Sequence, residues 1–346
     1  MARIDITVRG AGIFGLSVAW ACVMRGASVR VVDPFGAGAG SSGGIVGALA
    51  PHVPENWNDK KEFQLESLLM AEDFWAAVEA AGGVSSGYGR TGRLQPVADD
   101  AAKVLARTRG ENAKSLWKGR AEWGVKPADA AGAFRPATPS GLLIHDTLTA
   151  RMHPRRACAA LVAALQAKGC EVVTDAPDEG LVVWATGWQG LLDLNQWVGK
   201  NVGAGIKGQA VLFDYAAPDA QQLFVDGLHI VPHADGTVAI GSTSEREFDS
   251  PTATDDQCDT LINRAIAALP ELDDAPVIER WAGVRPRAKS RAPMLGAWPD
   301  RDGHFIVNGG FKIGFGMAPK VSEVMADLLL DGRDTIPESF RVAASI

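Results

Sequence analysis

The chain has 346 residues, 47% of them hydrophobic and 22% charged, with a formal net charge of −7. That length and apolar content can build a large core and suggest two domains rather than one. The acidic balance argues against nucleic acid as a main partner. No stretch reaches the about 18 apolar residues that cross a bilayer, and the chain enters a strand almost at once. A cytoplasmic protein without a transmembrane segment is therefore expected. Cys22, Cys158, Cys170 and Cys258 form no CxxC pair and no His–Cys cluster, which argues against a disulfide framework and against a metal site. Each is expected as a small buried side chain.

In chain order, Ile4 to Val8 reads as a short buried strand, Ile13 to Arg25 as a helix and Ser28 to Val32 as a second strand. Between the first strand and the helix lies Gly10-Ala11-Gly12-Ile13-Phe14-Gly15, and Asp33 follows the second strand. Strand, glycine-rich turn, helix, strand and acid in this order form a dinucleotide fingerprint. The first glycine permits the tight turn and the second admits a pyrophosphate to the backbone. The third lets the helix pack on the strand, and the acid accepts hydrogen bonds from a ribose. The helix N-terminus meets phosphate with free N–H groups and a positive dipole end. The motif does not choose between NAD and FAD. Arg9 stands where an apolar residue is expected; it can reach a phosphate or point to solvent, and solvent is the expectation.

Phe35 to Gly44 is rich in glycine and small residues and runs into apolar Ile45 to Pro51. That suits a loop lying against a ligand better than a flexible linker. Lys60 to Ala81 carries apolar residues near a 3.6 period and ends at Gly82-Gly83, which predicts a helix. Gly87 to Val97 and Gly141 to Asp146 read as short strands with polar and helical material between. His153-Pro154 opens a helix that Gly169 closes. Glu171 to Val173 and Leu181 to Trp184 read as strands returning to the first sheet. Gly205 to Phe213, His229 to His233 and Thr237 to Gly241 suit a mainly antiparallel sheet, with Ala234-Asp235-Gly236 as a hairpin turn. Asp255 to Leu269 is a helix, Trp281 to Arg285 and His304 to Asn308 are strands, and Phe315 to Leu330 is a final helix.

Four stretches together resemble the D-amino-acid oxidase superfamily, and within it glycine oxidase and its sarcosine-oxidase relatives. The first is Gly10-x-Gly12-x-x-Gly15 with Asp33, and the second is Ser41-Ser42-Gly43-Gly44-Ile45-Val46-Gly47-Ala48. The third is Val183-Trp184-Ala185-Thr186-Gly187-Trp188. The fourth joins Trp281-Ala282-Gly283-Val284-Arg285-Pro286 and Pro293 to Gly296 with Gly309-Gly310-Phe311-Lys312-Ile313-Gly314 and Met317-Ala318-Pro319. This last set is the most specific and selects FAD over NAD. The likeness is weakest over 98–141.

The resemblance implies an α/β fold: an FAD-binding Rossmann-like domain of the glutathione-reductase type with an inserted α+β substrate domain on a mainly antiparallel sheet. The expected division gives 1–82, 142–204 and 282–346 to the FAD domain, and 83–141 and 205–281 to the substrate domain. It assigns cofactor contacts to Gly10, Gly12, Ile13, Phe14, Gly15 and Asp33, to Ser41, Ser42, Gly43, Gly44 and Ala48, and to Ala185, Thr186, Gly187 and Trp188. Gly310, Phe311, Lys312, Ile313 and Gly314 complete the set. Arg285 is implied as the substrate-carboxylate arginine, with Lys312 as a second basic group at the turn before the last helix. His229 stands where glycine oxidases carry a tyrosine and is the candidate base or hydrogen-bond partner. His52, on the flavin loop, is a second histidine expected near the pocket. No cysteine occupies the position of covalent flavin attachment in some sarcosine oxidases, so FAD is expected to bind non-covalently.

The implied activity is oxidation of a small primary or secondary amine, most of all an amino acid. Hydride passes from the α-carbon to the flavin, the imine hydrolyses, and oxygen or another acceptor takes the electrons. The planar Arg285 fork matches a carboxylate. Three alternatives stay open: oxidation of a 2-hydroxy acid with His229 as base, a tRNA-modifying flavoprotein domain, and a non-catalytic or partner-dependent FAD subunit. A homo-oligomer is compatible with the sequence. Arg285, Arg287, Lys289 and Arg291 would share one face if that segment is extended, giving a cationic funnel for a substrate with a second anionic group. Otherwise they form a solvated loop edge whose charges diverge after Pro286.

Overall fold

A computed structural model describes residues 3–346. Its elements begin with β1 (Ile6–Arg9), α1 (Ile13–Met24), β2 (Val29–Val32), β3 (Ala48–Leu49) and α2 (Asp59–Gly82). They continue with β4 (Arg93–Pro96), α3 (Asp100–Leu116), β5 (Trp123–Pro127), β6 (Leu142–Asp146), β7 (Ala150–Arg151) and α4 (Pro154–Ala167). Next come β8 (Glu171–Val173), β9 (Leu181–Trp184), α5 (Gly187–Val198), β10 (Gly203–Asp214), β11 (Gln222–Val225), β12 (Leu228–Pro232) and β13 (Thr237–Gly241). The last are α6 (Gln257–Ala268), β14 (Val277–Ala288), β15 (Met294–Ala297), β16 (His304–Asn308) and α7 (Gly314–Asp331).

Two large sheets organise the chain. The first has the order β15-β16-β9-β1-β2-β8 and is parallel except for the β15–β16 pair. Its central strand β1 is buried on both faces, as a parallel strand covered by helices must be. Ile6 and Val8 carry its apolar side chains, and Thr7 satisfies its hydroxyl on the Glu179 carbonyl at 2.8 Å. Helices α1, α2, α4 and α7 pack into one core with this sheet. Local chemistry sets their ends. Asn58 caps α2 through the Lys61 amide and Gly83 closes it at φ 67°; Pro154 occupies the first turn of α4.

The second sheet has the order β14-β10-β13-β12-β11-β4-β6-β5 and is antiparallel except between β11 and β4. Helix α6 lays Leu261 and Ala265 against Val211, Ile230 and Ile240 to form its core. The expected hairpin at Ala234-Asp235-Gly236 joins β12 to β13.

Several expectations are corrected. The strand expected over 87–97 is confined to β4. Strands β5, β11 and β15 lie where none is predicted. Leu142–Asp146 pairs with β4 and β5 in the second sheet, so a domain boundary at 142 cuts off a strand of that sheet. Strand β14 likewise runs unbroken through the boundary expected at 282, paired along its length with β10. A short apolar run such as Leu142-Leu143-Ile144 fits either sheet, and only the pairing decides.

Candidate active site

Three helix N-termini converge on one cleft of about 1150 Å³. Residues of the first turns of α1 (Ile13, Phe14), α5 (Gly187, Trp188) and α7 (Gly314, Phe315) all line it. None of the three helices has an acidic residue in its first turn, so their positive ends are left for an anion. The cleft exceeds the about 300–1,000 Å³ typical of small-ligand sites, which suits a dinucleotide with substrate beside it.

The glycine turn is built as the fingerprint requires. Gly10 has φ 109°, and a Cβ on Gly15 would lie 1.9 Å from the Gly10 carbonyl oxygen. Gly15 therefore lets helix meet strand and does not itself line the cleft. The Ile13 amide donates to Ser42 Oγ at 2.9 Å, joining the small-residue loop to α1. Asp33 accepts from the Ala11 amide at 2.8 Å and the Phe35 amide at 3.0 Å, so its carboxylate also braces the turn.

Of the expected cofactor contacts, Gly10, Gly12, Ile13, Phe14, Asp33, Ser41, Ser42, Gly44 and Ala48 line the cleft. So do Ala185, Thr186, Gly187, Trp188, Gly310, Phe311, Lys312 and Gly314. Gly43 packs on the Gly38 carbonyl instead, and Ile313 caps α7 with its amide on the Gly310 carbonyl. Glycines without a neighbour at their Cβ position, such as Gly187, give the close backbone approach a pyrophosphate needs. The residues present fit a bound FAD.

Arg285, Lys312 and His229 line the same cleft. Arg285 donates from Nη1 to Ser242 Oγ at 2.6 Å and from Nη2 to the carbonyls of Thr243 at 2.7 Å and Lys207 at 3.2 Å. Its Nε is buried and has no partner. Room for the guanidinium comes from Gly208, where a Cβ would lie 2.1 Å from Nη2. Burial pulls the Arg285 pKa down to about 10, opposed by the charge of Glu245, so it remains a cation at neutral pH. Burial of its stem and repulsion from Arg285 and Arg287 lower the Lys312 ammonium below the ordinary lysine value. His229 packs on Phe224 with ring centroids 4.6 Å apart, and its Nδ1 is buried without a partner. Burial, with Arg93 and Lys312 nearby, pushes its pKa down to about 3. His229 is thus a neutral imidazole, fit to donate or accept a hydrogen bond and poorly tuned as a base near pH 7.

Two expectations fail here. Arg9 is not free in solvent: it pairs with Asp178 at 2.6 Å and donates to the Ala176 carbonyl at 2.8 Å. His52 does not line the cleft; its ring and its amide both bond Gln64 Oε1. Other residues reach the cleft unannounced. Ser242, just after β13, and Phe224 of β11 line it, brought there by long-range strand pairing that leaves no local signal. The basic row splits as well. β14 stays extended through Pro286 to Ala288, and the chain then turns, with Arg291 at φ 62° and its amide on the Ala288 carbonyl. Arg285 and Arg287 share a face, whereas Lys289 and Arg291 leave it. All four cysteines are free and buried, and none lines the cleft. Among the described residues no helix is long and apolar enough to cross a membrane.

Comparison with known proteins gives the same frame. The family model described as an FAD dependent oxidoreductase matches residues 5–328. The chain is 27% identical to a glycine oxidase of Pseudomonas putida over 94% of each chain. The glycine oxidase structure from Geobacillus kaustophilus superposes with a TM-score of 0.83 at 19% identity, covering 99% of both chains. An iminodiacetate oxidase from a Chelativorans species superposes with a TM-score of 0.80 at 20% identity, covering 97% of this chain and 98% of that one.

Proposed function

The chain belongs to this family of FAD-dependent oxidoreductases, and from that premise we propose that it oxidises a small primary or secondary amine, an amino acid above all. The observation that carries the reading is that two residues lining the same cleft, Arg285 and His229, each keep a buried nitrogen without a partner, Nε and Nδ1 respectively. A buried donor left without a partner costs stability unless a ligand satisfies it. A carboxylate is the acceptor that suits a guanidinium.

In this reading Arg285 holds the substrate carboxylate and, with Phe311 and His229 as walls, orients the α-carbon. Fixing that orientation supplies much of the rate by making the encounter effectively unimolecular. Bound FAD supplies the two-electron acceptor for the α-hydrogen, leaving an imine that water hydrolyses to a carbonyl and an amine or ammonia. The neutral His229 hydrogen-bonds the amine and does not place a second positive charge beside it. FAD is held without a covalent link, by the three helix N-termini and the glycine turn; oxygen or another acceptor then takes the electrons.

The test is anaerobic bleaching of the flavin absorbance against glycine, sarcosine, D- and L-amino acids and 2-hydroxy acids. Bleaching by an amine, with ammonia or a primary amine released, is the expected result. Bleaching by hydroxy acids alone would overturn it.

A further inference from the structure

Three cations surround the ring of Phe311: Arg285 and Lys312 line the cleft with it, and Arg287 lies just beyond that lining. The guanidinium carbon of Arg285 lies 5.7 Å from the Phe311 ring centroid, that of Arg287 5.5 Å and the Lys312 ammonium 5.8 Å. Arg285 and Arg287 meet the ring because they stand two apart on β14. Phe311 meets them because its amide donates to the Pro286 carbonyl at 2.9 Å, with φ 44° turning the residue back over the strand.

Other cations of the same sheet have their own counter-charges. Lys207 has Glu245 and Arg280 has Asp259. Among the described residues, no carboxylate lies within 4.0 Å of Arg287 or Lys312. Outside them, Lys60 donates to the Arg291 carbonyl and lies close enough to Arg287 and Arg291 to feel both charges. A positive zone thus runs outward from the cleft in a chain whose net charge is −7. Like charges held this close repel, and one shared aromatic ring offsets only part of that. An anion seated between Arg287 and Lys312 would offset the rest, and the field would draw it in.

We infer that Arg287 and Lys312, flanking Phe311, form a second anion subsite, so that the amine oxidised here carries two carboxylates: one held by Arg285, the other by this pair. The inference rests on the amine-oxidation reading above and narrows its substrate class to dicarboxylic amino or imino acids. The alternative, that these cations serve only the flavin, makes the second carboxylate irrelevant.

Two measurements separate the outcomes. The first compares kcat/KM for iminodiacetate and for its monoamide, which differ by one charge. The diacid should be favoured by about tenfold or more, the worth of one charge-assisted hydrogen bond. The preference should shrink to about twofold in Arg287→Gln, survive largely in Arg287→Lys, and fall with ionic strength. The second is calorimetric titration of the FAD-loaded protein with diglycolate and with methoxyacetate, ethers that cannot be oxidised at an amine. Diglycolate should bind about tenfold tighter, and Arg287→Gln should abolish the gap. Equal kcat/KM for diacid and monoamide together with equal binding of the two ethers overturns the subsite and leaves amine oxidation standing. If no amine is turned over, the amine reading fails, and the calorimetry alone then decides the subsite.

Discussion

Ser42 Oγ accepts the Ile13 amide at 2.9 Å, so a residue 29 positions downstream supplies the cap that α1 lacks at Gly12. The small-residue loop and the helix, which both line the cleft, are thereby one unit. Ser42→Ala removes a buried acceptor and leaves the amide unpaired. The expected loss is about 1–2 kcal/mol, seen as a melting temperature lower by about 2–4 °C and weaker FAD retention on dialysis. An unchanged melting temperature and unchanged retention would show that water replaces the hydroxyl.

Arg285→Lys keeps the charge but loses the planar fork. Nη1 and Nη2 currently brace Ser242, Thr243 and Lys207, while Nε is free. We expect KM for carboxylate substrates to rise by about 30-fold or more, as for truncating one partner of a buried charged pair. FAD content, read from the visible spectrum, should persist. A KM within a factor of about two would remove Arg285 from the carboxylate site.

His229 stays neutral through the ordinary working range, since its pKa is held at about 3. The pH profile of kcat/KM should therefore show no inflection from this residue between about pH 5 and 8. His229→Gln, which keeps a neutral hydrogen-bonding side chain, should lower the rate yet leave the profile's shape unchanged. Loss of an inflection near pH 6–7 in the variant would reinstate His229 as a titrating base.

His233 gives a stability prediction. Its Nε2 lies 2.8 Å from the Ile45 carbonyl oxygen, and burial pushes its pKa down to about 4. The folded value lies below the unfolded one, about 6.5. The contribution of this residue is therefore complete above pH 6.5 and is lost as pH falls toward 4, where the unfolded chain takes up a proton the folded one refuses. The loss is up to about 3 kcal/mol over that window. Melting temperature measured from pH 7 to 4 should fall less steeply in His233→Gln than in the parent; parallel curves would refute the assignment.

The legible parts of the fold were those with local periodicity. The β1–α1–β2 unit, α2 and α7 carry their apolar spacing and stop signals in consecutive residues. Strand β5 was hidden because Trp123-Gly124-Val125-Lys126-Pro127 has a glycine and a proline and buries chiefly Trp123. Strand β6 was legible as a strand but not as a member of the second sheet, since its partners lie far upstream: Arg93 of β4 and Trp123 of β5 both stand opposite Asp146. The glycine turn was readable because every member lies within a few residues of the next. The Arg285–Ser242 contact and the Arg9–Asp178 pair span 43 and 169 residues and left no trace in either neighbourhood.

The three helix N-termini that meet at the cleft begin near residues 13, 187 and 314, and β1 sits between β2 and β9 while β16 closes on β9. These starts are spread along the sequence, so no single stretch of it carries the site. The cleft therefore depends on segments far apart in sequence: a chain lacking α7 would keep the glycine turn and lose one of the three helix N-termini that line it. Cofactor loading would then report that α1, α5 and α7 have come together. Because such distant pairings form slowly, a refolding chain should pass through an interval in which it does not yet retain cofactor.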